Sequence, residues 1–371
     1  MRRTDKYASL LRISGALYLG IFEQPEKITF FPQKAGLREA KMTHKRALVL
    51  GGGGAKGAFT AGVVKYLMVD LGLTFDLVIG TSTGALIAPL VATQDIANLL
   101  HIYENVEDQD ILNQRPALLA FLLSDALNDS KPLEELINTF FGERKRYQKL
   151  LDSPTEMFVT VVNMQTGRVE YGNQHQDKKL VLLQKILASA SVPVMMPPVK
   201  IGKFQYVDGG VKDIAPFSKA IDEGATHVVS VILSPDAEHR EPKEKEFTSS
   251  LDILKQSLEL LTQEVVDNDV KIATVYSEAI RDLELIKTNA KGNLGLTDAQ
   301  IRKLFSGLED PFEGKRIVGI TVIRPDEELM PESLSFDPDK MREMVVQGYN
   351  KAKAVVDEEI ARGTGYFEND H

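Results

Sequence analysis

The sequence predicts an α/β protein built on parallel strands, and two observations support this prediction. Apolar runs alternate with glycine-bearing turns and helical stretches along much of the chain, which is the order that α/β folds show. Several runs are nearly continuous rather than alternating, as expected for parallel strands buried on both faces; they are Ala47–Leu50, Phe75–Ile79, Met157–Val162 and His227–Leu233. The 371 residues are 43% hydrophobic, which is enough to bury a sizeable core.

A glycine loop follows the first predicted strand. Residues 51–57 read Gly-Gly-Gly-Gly-Ala-Lys-Gly and lead into a helical stretch from Ala58 to about Asp70. Four consecutive glycines are entropically costly, so they indicate positive φ angles or a close approach of the backbone to a ligand. The loop also matches the dinucleotide fingerprint G-x-G-x-x-G, which requires an acidic residue after the second strand. The nearest acid, Asp76, lies at the beginning of that strand instead, which argues against a dinucleotide site.

The second strand leads into the pentapeptide Gly80-Thr81-Ser82-Thr83-Gly84, a G-x-S-x-G motif. A serine at a sharp strand-to-helix turn exposes its hydroxyl, and the free N–H groups of the following helix favour nearby negative charge. A capping serine in a glycine-rich turn is the alternative interpretation. A preceding glycine loop that presents N–H groups to an oxyanion explains both segments together.

An aspartate completes the candidate site. Asp208 ends the predicted strand Phe204–Val207 and precedes Gly209-Gly210. Alone it is typical of a turn, but with the two upstream motifs it becomes a candidate general base. A serine hydroxyl needs an adjacent base to act as a nucleophile, and removal from water raises an aspartate pKa from its ordinary value of about 3.9.

With these three motifs, the chain resembles the patatin-like phospholipases, a family of lipid acyl hydrolases. The resemblance covers about residues 46–235, including the run Ala188–Val199, and continues weakly through Ile317–Pro325 and a helix near Lys340–Val356. It implies a three-layer α/β/α core with a mainly parallel sheet, a lipid ester substrate, no cofactor and a Ser-Asp dyad without histidine. The residues it assigns are Ser82 as nucleophile, Asp208 as base, Gly52, Gly53 and Gly54 as oxyanion loop, and Lys56, Gly57, Gly80, Gly84, Gly209 and Gly210 as supporting positions.

Two other classes remain open from the residues. An α/β-hydrolase with a Ser, Asp, His order would use His227 or His239 as its histidine. That fold usually places several strands before its nucleophile, whereas here only one strand and one helix separate the glycine loop from the Ser82 strand. His227 opens an apolar run and His239 lies in a charged segment, which favours structural roles. A catalytically silent lipid-binding or scaffold protein is the second alternative, and the intact dyad positions argue against it.

The predicted domain layout has three parts. Residues 1–45 form a basic N-terminal extension, residues 46–325 form the α/β domain, and residues 326–371 form a C-terminal helical extension. The α/β domain contains a helical insertion at about 95–150 and a charged, helical insertion at about 235–315. Within the second insertion, a charged loop at 235–250 precedes a helix from Leu251 to about Ile286, and residues 289–314 are predicted to be a polar loop.

Charge and cysteine content limit the partners. Residues 1–46 contain ten Lys/Arg and four Asp/Glu, whereas the rest of the chain contains 34 and 49. An acidic body without a basic stripe argues against nucleic acid. The absence of cysteine excludes disulfides and thiolate metal sites and is compatible with a reducing cytoplasm. Asp267 and Asp269 resemble the opening of a calcium loop, but Ile272 replaces its glycine, so we expect a solvated helix face and no metal.

The basic leader contains the partly apolar stretch Tyr7–Phe22. Arg12 interrupts it, and it is shorter than the roughly 18 apolar residues of a spanning helix. The stretch could also be a signal peptide, but no convincing cleavage site precedes Glu23. Two interpretations remain: a helix packed on the protein's own core, and a segment that docks peripherally on anionic lipid. We expect a cytoplasmic protein, and the sequence makes no prediction of its oligomeric state.

Overall fold

The computed structural model describes residues 45–114, 125–240, 242, 246–306, 318–364 and 366–367. The basic leader and its membrane and signal-peptide interpretations lie outside these residues. Where the sequence predicted buried strands, the structure has them, and their bounds agree with the predicted runs to within two or three residues. The strands in the described ranges are Arg46–Leu50 (β1), Leu77–Gly80 (β2), Asn113–Gln114 (β3), Asn128–Asp129 (β4), Glu156–Asn163 (β5), Arg168–Asn173 (β6), Val199–Ile201 (β7), Phe204–Asp208 (β8), His227–Val231 (β9) and Gly319–Ile323 (β10).

The helices fill the intervals between these strands. The described α-helices are Gly57–Val64 (α1), Thr83–Ala92 (α2), Ile96–Asn105 (α3), Asp108–Ile111 (α4), Lys131–Phe141 (α5), Arg144–Leu151 (α6), Lys179–Ser189 (α7), Phe217–Asp222 (α8), Ser250–Leu294 (α9), Asp298–Leu304 (α10) and Pro338–Ala361 (α11). A π-helical segment, Lys65–Asp70, continues α1. Pro89 lies inside α2, which ends three residues later.

The central sheet is mixed, and its main part is parallel. Its strand order is β10-β9-β1-β2-β5-β8-β7, and β6 pairs with β5. The first five strands in this order run parallel, whereas β6 and β8 run antiparallel to β5. Parallel neighbours bring their carboxyl ends to one edge, so the loops after β1 and β2 begin side by side: Leu50 pairs with Gly80. This edge is where open α/β sheets bind their ligands.

Helix α11 covers the helix that follows the glycine loop. The two backbones cross so closely that a Cβ atom on Gly62 of α1 would lie 1.9 Å from the carbonyl oxygen of Val345. A Cβ on Gly348 of α11 would lie equally close, 1.9 Å, to the carbonyl oxygen of Phe59. Tyr66 and Tyr349 meet edge to face beside this crossing, with ring centroids 5.3 Å apart. The predicted boundary at residue 325 remains a prediction, but α11 packs directly on the motif-bearing half of the chain.

The predicted polar loop at 289–314 is wrong in its first part. Helix α9 continues to Leu294 and ends at Gly295, whose φ of 63° suits the left-handed C-terminal position. A short helix, α10, then begins at a Thr297 capping box. Residues 307–317 lie outside the described part of the chain. The apolar spacing predicted too early an end for this helix because the last two turns of α9 carry few apolar residues. Gly295, by contrast, is a typical helix-ending residue.

Of the helices in the described ranges, none combines the length and the hydropathy needed to cross a bilayer.

Candidate active site

Ser82 occupies a strained turn between β2 and α2. Its φ and ψ angles are 57° and −124°, an unusual conformation for a residue with a side chain. The flanking glycines make this turn possible because added Cβ atoms would collide with backbone. A Cβ on Gly80 would lie 2.1 Å from the Gly84 carbonyl oxygen, and one on Gly84 would lie 2.1 Å from the Leu50 oxygen. Backbone strain concentrated at one serine is typical of a functional position.

Asp208 approaches Ser82 from the other side of β5. Strand β8 runs antiparallel to β5, which places Asp208 beside Val161, just past Val159, the partner of Gly80 in β2. The Asp208 carboxylate accepts the Gly210 N–H at 2.7 Å and also hydrogen-bonds to the Ser82 side chain. Burial raises the pKa of Asp208 to about 7, although these two hydrogen bonds oppose the rise. The direction of this shift is the one expected for a carboxylate removed from water.

A serine that sequence reasoning missed ties the two chain segments together. The Ser189 hydroxyl, at the end of α7, accepts the Ser82 N–H at 3.0 Å and donates to the Thr160 carbonyl at 2.7 Å. Two residues later, the Ser191 carbonyl accepts the Asp208 N–H at 3.0 Å. The small-residue run that begins at Ala188 was recognised as part of the resemblance, but the pattern gave no sign of these contacts.

The backbone N–H groups of the glycine loop differ in their hydrogen bonding. Gly51 donates its N–H to Val231 at 2.9 Å, which fixes the beginning of the loop against β9. Within the described ranges, the N–H groups of the next three glycines, 52–54, donate no hydrogen bond. Gly52 lies directly against Ser82, because a Cβ added to it would be 2.7 Å from the Ser82 Cβ. Unpaired N–H groups beside a serine hydroxyl could stabilise a developing oxyanion.

The strap between β10 and α11, residues 324–337, crosses the glycine loop. The Ser333 carbonyl accepts the Ala55 N–H at 2.8 Å. Gly54 has a φ of 58°, and a Cβ there would lie 2.0 Å from that same carbonyl oxygen. Lys56 is buried and forms an ion pair with Glu328 of the strap. The lysine of the motif is therefore neutralised by a carboxylate that the sequence motifs did not reveal.

Gly57 and Gly209 allow close packing next to the site. A Cβ on Gly57 would lie 2.4 Å from the Thr83 hydroxyl, which hydrogen-bonds to Tyr103. A Cβ on Gly209 would lie 2.5 Å from the Thr160 carbonyl oxygen. These positions support the turn geometry and do not line the cavity.

A large apolar cavity opens onto the dyad. Its volume is about 820 Å³, within the usual range for small-molecule sites. Ser82, Asp208, Lys56, Gly210 and the glycine loop line one end of it. Helices α2, α3, α5 and α9 and the 195–196 turn supply the apolar wall, which includes Leu86, Leu90, Ile102, Leu133, Leu136, Ile137, Phe140, Phe141, Met195, Met196, Leu258 and Leu261.

The histidines named for a triad lie elsewhere. His227 begins β9, at the amino ends of the parallel strands, whereas the candidate site lies at the carboxyl ends. Its Nε2 lies 3.1 Å from the Thr321 hydroxyl, and its ring stacks on Tyr366. His239 ends a short 3-10 turn and does not line the cavity. Both positions agree with the structural roles predicted for them.

Asp267 and Asp269 do not form the solvated helix face that the sequence predicted. Asp267 is bound in a bidentate ion pair by Arg240, at 2.7 and 2.8 Å. Asp269 accepts the N–H groups of Ile214 and Ala215, both at 3.1 Å. The prediction was wrong because both partners lie in other parts of the chain, which helical periodicity cannot register.

Comparison with known proteins identifies the fold around this site. A family model described as patatin-like phospholipase matches residues 48–221. Residues 48–221 therefore match a patatin-like phospholipase domain. The matched residues contain the glycine loop, Ser82 and Asp208, so the family resemblance and the predicted α/β fold are confirmed. The patatin-like domain thus accounts for the strands and turns that build the site.

Relatives of the patatin-like domain include two bacterial proteins. The cGAMP-activated phospholipase of Pseudomonas aeruginosa (strain BWHPSA011 / Pa011) is 31% identical over 201 residues, 51% of this chain and 57% of the relative. The one of Escherichia coli (strain TW11681) is 28% identical, over 45% of this chain and 52% of the relative. The chain thus spans little more than half the length of these relatives.

More distant similarities lie in longer or divergent proteins. Lysophospholipase NTE1 of Yarrowia lipolytica is 28% identical over 184 residues, which is 50% of this chain but 12% of that protein. Among solved structures, VipD from Legionella pneumophila aligns over 85% of this chain and 67% of its own, at 16% identity and a TM-score of 0.44.

Proposed function

We propose that the protein is a serine-dependent lipid acyl hydrolase of the phospholipase A or lysophospholipase type. The observation that carries this proposal is the hydrogen bond between strained Ser82 and buried Asp208, both of which line an apolar cavity together with the three loop glycines. A nucleophile, a base and oxyanion donors around one apolar volume are the parts that acyl transfer requires.

The first half of the proposed reaction forms an acyl-enzyme. The Ser82 hydroxyl attacks the ester carbonyl while its proton passes to the Asp208 carboxylate. The tetrahedral intermediate carries its negative charge on the former carbonyl oxygen, where the N–H groups of Gly52, Gly53 and Gly54 stabilise it. The intermediate collapses, the proton returns to the leaving alcohol, and the acyl group remains on Ser82.

The second half releases the fatty acid. Water attacks the acyl carbonyl, and Asp208 accepts its proton and then returns it to Ser82. A single carboxylate can serve in both halves because burial raises its pKa to about 7, close to the ordinary value of a histidine. A histidine is therefore not needed to match the base to neutral pH.

The cavity supports a lipid rather than a small polar ester as substrate. Its wall is built from Leu, Ile, Phe and Met side chains of several helices, and its volume of about 820 Å³ exceeds what a short acyl group needs. Burial of an acyl chain stabilises the complex by about 0.8 kcal/mol per CH₂. Peripheral membrane contact through residues 1–45 remains a prediction from the leader's charge.

The test is active-site labelling followed by lipid hydrolysis. We expect a fluorophosphonate probe to label the wild-type protein at Ser82, as mapped by mass spectrometry, and to leave Ser82→Ala unlabelled. Vesicles of phosphatidylcholine and of lysophosphatidylcholine should then release fatty acid with the wild type alone. A folded wild type that neither labels nor releases fatty acid would contradict the proposed function and favour the silent lipid-binding alternative.

The raised pKa of Asp208 predicts an acid-sensitive activity. The base works only as a carboxylate, so with a pKa of about 7 its active fraction falls about tenfold for each pH unit below that value. We expect kcat/KM for a short, soluble ester to rise with pH and to level off above about pH 7. Circular dichroism at each pH separates this effect from unfolding. A flat profile down to about pH 5 would remove Asp208 as the base.

The oxyanion loop can be tested at Gly52. An alanine methyl group there would meet the Ser82 Cβ at 2.7 Å and the Ile214 side chain at 3.3 Å, so the loop or the nucleophile must move. We expect Gly52→Ala to lower kcat by about 10²-fold or more, as loss of one oxyanion donor does. Gly292→Ala, which adds a methyl group in open space on α9, is the control and should keep full activity. Wild-type kcat in Gly52→Ala would exclude the loop from catalysis.

A further inference from the structure

The loop that follows the Asp-Gly-Gly turn contacts all three motif segments. At its beginning, the Asp213 carbonyl accepts the hydroxyl of Thr81, the neighbour of the nucleophile, at 3.3 Å. Its central side chain, Ile214, is buried and packs on two motif glycines. Ile214 side-chain carbons lie 3.3 and 3.4 Å from the Cβ position of Gly52, and 3.2 and 3.4 Å from that of Gly210. Residues 213–215 therefore support the oxyanion loop and the Asp208 turn at once.

Two side chains hold this loop from outside the motifs. The Tyr171 hydroxyl of β6 donates to the Asp213 carboxylate at 3.0 Å. One carboxylate oxygen of Asp269, on α9, accepts the N–H groups of both Ile214 and Ala215 at 3.1 Å. Asp269 thus fixes the backbone on both sides of the peptide bond that follows Ile214. Hydrogen bonds from backbone donors to an ionised acceptor are stronger than neutral ones.

The helix that carries Asp269 is also a wall of the cavity. Leu258, Leu261, Val265 and Val266 of α9 line it within three turns of Asp269. The described part of α9 therefore touches the substrate volume with one segment and the active-site loop with the next. A rigid helix transmits a displacement between two such contacts more effectively than a loop does.

We propose that Asp269 is a positioning residue of the active site: by holding the backbone of Ile214 and Ala215, it keeps Ile214 against Gly52 and Gly210 and links the α9 wall of the cavity to the geometry of the dyad. This inference rests on the proposed hydrolase function. It adds a residue that lies outside the glycine loop, the serine motif and the Asp-Gly-Gly motif, in the insertion between β9 and β10.

The Asp269 carboxylate is partly buried and lies near another acidic group. Burial and the neighbouring Asp213 carboxylate raise the pKa of Asp269 to about 7, and its two backbone hydrogen bonds oppose the rise. Tyr171 and Asp213 face it across the loop, and Asp222 of α8 acts on the same tyrosine. Asp267, two residues before Asp269 on α9, is paired with Arg240.

The experiment compares Asp269→Ala and Asp269→Asn with the wild type. Alanine removes the acceptor, whereas asparagine keeps one oxygen that can accept both N–H groups. Asp282→Ala, an exposed aspartate on the same helix, is the matched control. The first readout is hydrogen exchange of the peptide that contains residues 209–217, and the second is kcat and KM with a short soluble ester and with a long-chain ester.

We expect Asp269→Ala to increase exchange at residues 214–215 and to lower kcat about 10- to 100-fold for both esters, since small misplacements of reacting groups have effects of this size. KM for the short ester should change less than about twofold. Asp269→Asn should recover most of kcat, and Asp282→Ala should match the wild type. A loss that appears only as a raised KM for the long ester, or no gain in exchange, would overturn the proposal.

The two proposals fail in different ways. A wild type that does not hydrolyse esters or react with fluorophosphonate removes the hydrolase function, while the exchange measurement still decides whether Asp269 holds the loop. An active wild type whose exchange and kcat are unchanged by Asp269→Ala leaves the hydrolase intact and removes Asp269. Should Asp269→Ala not fold, Asp269→Glu, which displaces the carboxylate by one methylene group, is compared with Asp282→Glu. Faster exchange at residues 214–215 together with a lower kcat for both esters supports the proposal, and exchange and kcat equal to the control overturn it.

Discussion

Replacing Ser82 with alanine is expected to reduce ester hydrolysis to background, a loss of about 10⁴-fold or more, because no acyl-enzyme can form without its hydroxyl. Asp208→Asn should cost about 10³-fold or more, since asparagine keeps the shape of the side chain but cannot take the proton. Asparagine can still accept the Gly210 N–H that Asp208 accepts at 2.7 Å. The measurement is kcat/KM with a short ester and fatty acid release from vesicles.

Matched controls separate catalysis from folding in these two variants. Ser230 is a buried serine of β9 whose hydroxyl has no hydrogen-bond partner within the described ranges, so Ser230→Ala should keep full activity. Asp208→Asn should be at least as stable as the wild type above about pH 7. Folding raises the pKa of Asp208 from 3.8 to about 7, so the wild type loses stability as the pH rises through this range, and the loss is complete above about pH 7. Near-normal turnover in either variant would remove that residue from the mechanism.

Gly62→Ala and Gly348→Ala are expected to have the largest effect on stability. Each new methyl group would lie 1.9 Å from a carbonyl oxygen of the facing helix, and no rotamer change can relieve a contact between Cβ and backbone. Helices α1 and α11 must therefore separate. Overpacking of this kind typically costs up to about 3 kcal/mol, and the better helix propensity of alanine returns about 1 kcal/mol of it. Urea unfolding followed by circular dichroism gives the change in the free energy of unfolding.

Gly292→Ala is the control for both substitutions, because it is also helical and nothing lies near its Cβ position. It should leave stability unchanged or raise it by about 0.5–1 kcal/mol. Because α1 follows directly after the glycine loop, Gly62→Ala should also lower kcat. Equal unfolding midpoints for Gly62→Ala, Gly348→Ala and the wild type would mean that the two helices do not cross at this distance.

Short-range patterns predicted most of the parallel sheet and the positions of the three motifs. The runs that became β1, β2 and β9 are nearly all apolar because both faces of these strands are covered, and this signal is local. The glycines of the serine motif were predictable for the same reason: the turn that demands them is built from adjacent residues. The long helix after residue 250 was visible from its apolar spacing, and its full length was not.

The sequence patterns did not predict contacts between segments that lie far apart in the chain. Strand β6 has the sequence Arg-Val-Glu-Tyr-Gly-Asn, which carries no apolar run and becomes a strand through pairing with β5. Glu328 meets Lys56 across more than 270 residues, and Asp269 meets Ile214 across 55. No periodicity in either segment encodes its partner. The missed residues are those whose role depends on tertiary packing, whereas the predicted ones act through the backbone of their own turn.

The crossing of α1 and α11 has a consequence for synthesis in the cell. By the time Asp208 has been translated, the ribosome has produced every motif of the candidate site, but the partner of Gly62 lies about 140 residues further along the chain. At roughly 5–20 residues per second, that interval lasts on the order of 10–30 s. During it, the apolar face of α1 that α11 will cover is open to chaperones, so nascent chains stalled before residue 338 should be strong chaperone clients.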